Sequence, residues 1–224
     1  MHCLGPRLIL PELLDTLPPE QARASLGDLV RINRRWGGHS TLRSLLRTSV
    51  PDGQPFSVLD VGAASGDMGA CIRQWYPAAT VTSLDYVFSH LGREEPGAMT
   101  RRVAGDAFRL PFRPASFDYV FCSLFLHHFT NEKVVELLRN FGAVARKAVL
   151  VIDLERNPIP YYFIAWSRPV LGWDPVTVHD GAISVEAAFK RRELEELARQ
   201  AGLRNPRTRV FRPAFRIALV GEAL

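Results

Sequence analysis

Three features of the sequence predict an α/β fold with a mostly parallel sheet and helices on both faces. Strand-like and helix-like segments alternate from Phe56 to Glu155. A glycine-bearing turn follows the first of those strands directly, as where a parallel sheet meets a ligand. Two closing strands are joined by only Arg212, Pro213 and Ala214, too short for a crossover helix, so they must form an antiparallel C-terminal hairpin. The residues before the alternation read as helical, which gives an N-terminal helical cap or lid over 1–54 and a main domain over 55–224.

Taken in order, Pro18 and Pro19 open a helix in which Ala22, Leu26, Leu29, Val30 and Trp36 recur at helical spacing, and Gly37–Gly38 ends it. Leu42, Leu45 and Leu46 mark a second short helix, and PDGQP (51–55) a loop. FSVLDV (56–61) is the first strand, followed by a helix from Asp67 that Pro77 stops. TVTSLDY (80–86), RRVAGDA (101–107), FDYVFCSLF (117–125) and KAVLVIDLE (147–155) are the next four strands. Thr130 or Asn131 caps a helix whose Val134, Leu137, Leu138, Phe141 and Val144 share one face. Residues 156–183 read as an irregular insertion rich in aromatics and proline. A helix over Arg191–Ala201 then precedes the hairpin strands RTRVF (207–211) and FRIALVG (215–221).

The 224 residues, 47% hydrophobic and 23% charged, suit one globular domain. A net charge of +5 and a pI near 9.4 raise the question of nucleic acid. Only Lys133, Lys147 and Lys190 of the 28 basic residues are lysine, and the arginines are spread along the chain, so a solvated basic surface is expected and no nucleic-acid partner. Cys3, Cys71 and Cys122 make no metal or disulfide pattern, and a reduced chain is expected. Pro6 and Pro11 break the apolar N-terminus and no run reaches the ~20 residues of a membrane span, so the expected location is cytoplasmic. Monomer and homodimer both remain open.

Which ligand the turn serves is decided by elimination and by three acids. No Gly-Lys-Ser/Thr follows Gly66, so it is no P-loop. The spacing Gly62, Gly66, Gly69 misses the second glycine of the pyrophosphate fingerprint. Asp60, inside the first strand, would repel a pyrophosphate but can receive an ammonium group. Asp85, ending the second strand, is placed for ribose hydroxyls, and Asp106, after the third, for an exocyclic adenine amine. Adenosine joined to an amino acid without phosphate, S-adenosylmethionine, satisfies all three.

With VLDVGAASGDMG, SLDYV and GDAFRLPFRPASFDYVFCSLFLHHF in this order, the chain resembles the class I S-adenosylmethionine-dependent methyltransferases over nearly all of 55–221. RLPFRPASFDYV is similar to the small-molecule branch that includes quinone-biosynthesis enzymes. The resemblance implies a Rossmann-like seven-stranded sheet, mostly parallel, with the last strand inserted antiparallel. It implies that Asp60 and the Gly62–Gly66 loop hold the methionine part, Asp85 the ribose, Asp106 with the Ala107 backbone the adenine, and that Ser123 lines the end of the fourth strand. The family favours glycine where Ala64 stands, so a φ > 0 there would strain this chain.

FLHHFTNE (125–132) lies just beyond the fourth strand, which puts His127 and His128 at the ligand edge of the sheet. The stretch is similar to the histidine segment of phenolic and polyketide O-methyltransferases, in which the position matching His127 is the general base. A neutral imidazole with pKa near ~6.5 can take a phenolic proton. The expected activity is therefore methyl transfer to a small hydrophobic acceptor, as O-methylation of a phenolic or polyketide-like hydroxyl, with His127 and His128 as catalytic candidates. Carbon methylation of a quinone-type ring, an NAD-dependent oxidoreductase and a non-catalytic cofactor-binding protein are the alternatives. No metal is expected, since the nearest acid in sequence is Glu132. Tyr161, Tyr162, Phe163, Trp166 and Trp173 are candidates to line the acceptor pocket; Arg34, Arg35 and Trp36 could face the acceptor, and His179–Asp180 is a second acid–base pair. NPIPY (157–161) resembles the signature of amino-methylating nucleic-acid enzymes but follows the fifth strand rather than the fourth, so a base amine is not the expected acceptor.

Overall fold

The computed structural model describes residues 4–14, 16–51, 53–87, 91 and 100–224; Cys3 lies outside them. Seven strands, β1 (Ser57–Val61), β2 (Thr80–Asp85), β3 (Thr100–Ala104), β4 (Phe117–Ser123), β5 (Ala145–Leu154), β6 (Arg204–Phe211) and β7 (Arg216–Glu222), form one sheet in the order β3-β2-β1-β4-β5-β7-β6. β1 to β5 are parallel, and β7 runs antiparallel between β5 and β6. The order reverses between β1 and β4, and a reversal opens a crevice beyond the carboxyl ends of those strands.

Both faces of the sheet are covered, which is why β1 is apolar at consecutive positions: Val58 and Leu59 are both fully buried. One face carries Leu59, Val120, Val151 and Leu219 against helices α4 (Asn131–Val144) and α7 (Arg191–Gln200). The other carries Val58, Phe121 and Leu150 against α2 (Gly38–Ser49) and α3 (Asp67–Trp75). The Thr130 side chain caps α4 by accepting the Lys133 N–H, so the chain turns directly from the site into a packed helix.

Two expectations are corrected. Residues 156–183 are helical for the most part, as α5 (Pro158–Leu171) and α6 (Pro175–Ala187). Asn157 and Asp174 cap them, accepting the Ile159 and Val176 N–H groups, and Pro158 and Pro175 stand in the first turn, where a missing N–H costs nothing. The N-terminal part is helical from Pro19, through α1 (Pro19–Arg35) and α2, but residues 4–14 contain no helix and run as a strap across α6. Among the described residues no helix is long and apolar enough to cross a membrane.

Candidate functional site

At the end of β1 the backbone folds into a tight turn at the switch point. Gly62 has φ +67°, and a Cβ there would lie 2.4 Å from the Phe125 ring, so only glycine fits. The Gly62 and Ala63 N–H groups donate to Leu84 O, at 2.9 and 3.1 Å, stitching the turn to β2. Ala64 has φ +43°, a left-handed conformation that costs a non-glycine residue about 1–3 kcal/mol. Its N–H donates to Asp85 Oδ2 at 2.8 Å, while Asp85 Oδ1 accepts the Val87 N–H at 2.9 Å. Gly66, at φ +72°, is the N-cap of α3, and Asp67 in the first turn binds Asn33 and His39 of α1 and α2 across the turn.

Two adjoining cavities share Leu26, Leu29, Gly62, Ala64 and Leu124 as a common wall. The smaller is lined by Asp60 and Ser123. The larger, about 530 Å³, is lined by Asp85, Asp106, Ala107 and Phe108 at one end and by His127, His128, Phe129 and Glu12 at the other. The three acids thus border two adjoining cavities, Asp60 the smaller and Asp85 and Asp106 the larger. Asp60 is buried, and its Oδ2 has no hydrogen-bond partner; the Ser123 hydroxyl has none either. Burial, with the negative charges of Asp67 and Asp85, pushes the Asp60 carboxyl up to about 8. An ammonium group in the smaller cavity would meet an acceptor that no described residue uses. Asp106 Oδ1 accepts the Phe108 N–H at 2.8 Å, which fixes its carboxylate at the cavity wall.

Beyond β4 the chain reverses through Leu124, at φ +52°, into a single 3-10 turn over Leu126–His128. Asp153, near the carboxyl end of β5 after the apolar run over 148–152, organises that turn. Its Oδ2 accepts the Leu126 and His127 N–H groups, and its Oδ1 lies 2.6 Å from His127 Nδ1. The other ring nitrogen, Nε2, stands 3.5 Å from Glu12 Oε1, which also receives the Ser184 hydroxyl. Glu12 arrives on the strap, which is latched at both ends. Arg7 donates to the His127, Phe129 and Ala187 carbonyls, and Asp180 accepts the Leu13 and Leu14 N–H groups. Burial alone would lower the His127 pKa, but Asp153 and Glu12 override it and raise it to about 9. At neutral pH His127 is therefore an imidazolium between two carboxylates. His128 stacks on it, with ring centroids 4.4 Å apart.

Sequence reasoning missed both partners of His127. Asp153 carried a signal, an acid inside the apolar run VLVIDL; Glu12, 115 residues away on a non-helical segment, carried none. The ground for expecting no metal is also corrected: donor atoms of Glu12, His127 and His128, not Glu132, lie within 4.8 Å of one another, and those of His39, Asp67 and Cys71 form a second such group. Tyr161, Tyr162, Phe163, Trp166 and Trp173 line neither cavity. Trp173 is buried with its indole N–H on Ser167, whereas Trp166 is 79% exposed. Arg34, Arg35 and Trp36 lie exposed at the end of α1, also off both cavities. His179 pairs with Asp180, but the latter serves the strap. NPIPY is the start of α5, with Asn157 as its cap.

Residues 58–148 match the family model of a methyltransferase domain. A demethylmenaquinone methyltransferase of Roseiflexus sp. (strain RS-1) is 28% identical over 159 residues, 64% of this chain and 66% of that protein, just under two thirds of the relative's length. Among solved structures, the plantazolicin methyltransferase BpumL, in complex with a monoazolic desmethylPZN analog and SAH, has a TM-score of 0.66 at 14% identity, covering 92% of this chain and 90% of that one. Magnesium protoporphyrin IX methyltransferase (ChlM) from Synechocystis PCC 6803 with bound SAH has a TM-score of 0.59 at 15% identity, covering 84% of each. At such identities the likeness to solved structures is one of fold.

Proposed function

We propose that the chain is a class I S-adenosylmethionine-dependent methyltransferase, in line with its match to a methyltransferase domain, and that it methylates an oxygen of a small hydrophobic acceptor, phenolic or polyketide-like, bound at the His127 end of the larger cavity. The methyl donor is S-adenosylmethionine, which when bound supplies an electrophilic methyl group on a sulfonium. Asp60, beside the Gly62–Gly66 turn, would hold the ammonium group, with Ser123 nearby. Asp85 would accept from the ribose, and Asp106 with Ala107 would hold the adenine.

The observation that carries the oxygen reading is the buried Asp153–His127 pair beside the larger cavity, with Nδ1 held 2.6 Å from a carboxylate and Nε2 on the Glu12 side. Asp153 fixes the tautomer, so Nε2 is the nitrogen able to take the acceptor's proton. A base at about 9 is well matched to a phenol near ~10. Nε2 faces Glu12 in this arrangement, so the acceptor hydroxyl must displace that carboxylate to reach it. His128, on the same wall, is the second catalytic candidate. Leu14, Phe125 and Phe129 supply apolar wall to the cavity, and water displaced from them by a bound acceptor would favour a transfer in which charge disappears.

A second reading, carbon methylation of a quinone-type ring, is favoured by the match to demethylmenaquinone methyltransferases. Labelled S-adenosylmethionine offered with phenols, resorcinols and quinols separates the two by where the label is found. With an active phenol, His127→Ala should leave cofactor binding intact and lower turnover by about 10²–10⁴-fold. The wild type's kcat/KM, which reports the free enzyme, should rise with pH toward about 9, where half of His127 has lost its proton. An unchanged rate in His127→Ala rejects the histidine mechanism.

A further inference from the structure

Helix α5 is apolar over most of its length, yet none of its fourteen residues is buried. Its two faces differ. One packs inward: Phe163 meets the Trp36 ring at 4.5 Å, Ile164 fills the space left by Gly181 of α6, and Ser167 receives the Trp173 indole N–H. The opposite face, spaced as one helical stripe, consists of Ile159, Tyr162, Trp166, Pro169 and Val170. Ile159 is 56%, Trp166 79% and Val170 86% exposed. Nothing in the proposed reaction uses these side chains, which line neither cavity.

The α5 segment itself carries only cations, although Glu186 of α6 hydrogen-bonds Tyr161 beside it. No Asp or Glu occurs between Arg156 and Trp173. Arg34 and Arg35, next to the Trp36 that touches α5, are exposed, as is Arg168, and none of the three forms an ion pair among the described residues. Apolar and aromatic side chains bordered by cations are the composition of a surface that enters the headgroup region of an anionic bilayer. A second copy of the chain fits less well. A two-fold contact through this face would bring the same arginines of both copies together.

We propose that the outer face of α5, with Arg34, Arg35 and Arg168 as its cationic rim, docks this protein peripherally on an anionic lipid surface. Trp166 and Val170 enter the acyl boundary while the arginines stay with the phosphates. The cover made by α1, α5 and α6 then lies against the bilayer, with α1 and α6 also lining the cavities through Leu26, Leu29 and Ser184. The proposal does not rest on the reaction, because binding is read without turnover.

The test is sedimentation of the full chain with vesicles of phosphatidylcholine containing about 30% phosphatidylglycerol, against pure phosphatidylcholine. Binding to the anionic vesicles is expected, weakened by salt, with tryptophan emission quenched by acyl-brominated lipid. W166E/V170E should lower vesicle affinity at least about 10-fold with circular dichroism and S-adenosylmethionine binding unchanged, and R34E/R35E should remove the preference for anionic lipid. Failure to sediment overturns the proposal. So does binding that W166E/V170E leaves intact, or a lipid-free dimer that the same substitutions dissociate, which would assign the face to a second copy.

Discussion

Asp60 is a carboxylate held in a state its neighbours oppose. It is buried beside two other acids, with one oxygen unpartnered and its pKa near 8 instead of near 4. Between those values the folded chain keeps a proton that the unfolded chain has lost. Its contribution to stability is therefore fully present below about pH 4 and falls as pH rises toward 8. A cation in the smaller cavity reverses the preference and expels the proton. Cofactor binding at pH 7 should thus release a proton through Asp60, seen as a calorimetric enthalpy that varies with the buffer's ionisation enthalpy. Asp60→Asn should abolish that dependence, weaken binding by about 1–3 kcal/mol, and flatten stability against pH between 4 and 8. A wild-type enthalpy independent of buffer would remove the ammonium role. The sequence made Asp60 readable because an acid inside an apolar strand is locally anomalous. Asp153 shows the same anomaly, yet its role depends on a turn from another strand, so the residue stood out while its partner did not.

Elements were legible where their signals were local. The strands and α4 follow from apolar runs and a Thr cap, whereas α5 and α6 were hidden because Pro158, Pro160, Pro169 and Pro175 look like breakers until their places in the helices are known. The strap has no periodicity at all; its position is fixed by side chains at a distance, Arg7 on the histidine turn and Asp180 on Leu13 and Leu14. That makes it separable from the core. Asp180→Ala leaves two strap N–H groups without their acceptor, so hydrogen exchange over residues 7–14 should accelerate while β1 and β4 stay protected. With Glu12 released, His127 loses one of the two carboxylates that raise its pKa, and the pH–rate profile should move from about 9 toward neutrality. Rapid strap exchange with an unmoved profile would mean that Glu12 does not tune the histidine. Unchanged exchange would mean that Asp180 is not the latch.

At the scale of the whole molecule, the strand order matters more than any one side chain. The reversal between β1 and β4 gathers Asp60, Asp85 and Asp106 from three neighbouring strand ends on one side and the β4–β5 residues His127 and Asp153 on the other. The alternation of strands and helices implied such a crevice, and the short hairpin link implied the antiparallel β7; neither could say that the N-terminal strap would complete the wall. A ligand seated there ties β1, β2 and β3 together, so it should stabilise the entire fold. Saturation at 100 times Kd is worth about 2.7 kcal/mol, which for a domain of this size raises Tm by roughly 5–10 °C. S-adenosylmethionine and its demethylated product should both produce that shift. NAD should not, because a pyrophosphate carries no cation to pair with Asp60 and would approach the Asp67 and Asp85 carboxylates beside the turn, where Ala64 also presents a Cβ in place of the second glycine of the dinucleotide fingerprint. A shift with NAD and none with S-adenosylmethionine would contradict the ligand assignment while leaving the sheet as described, since the acids would then border a crevice built for a different nucleotide.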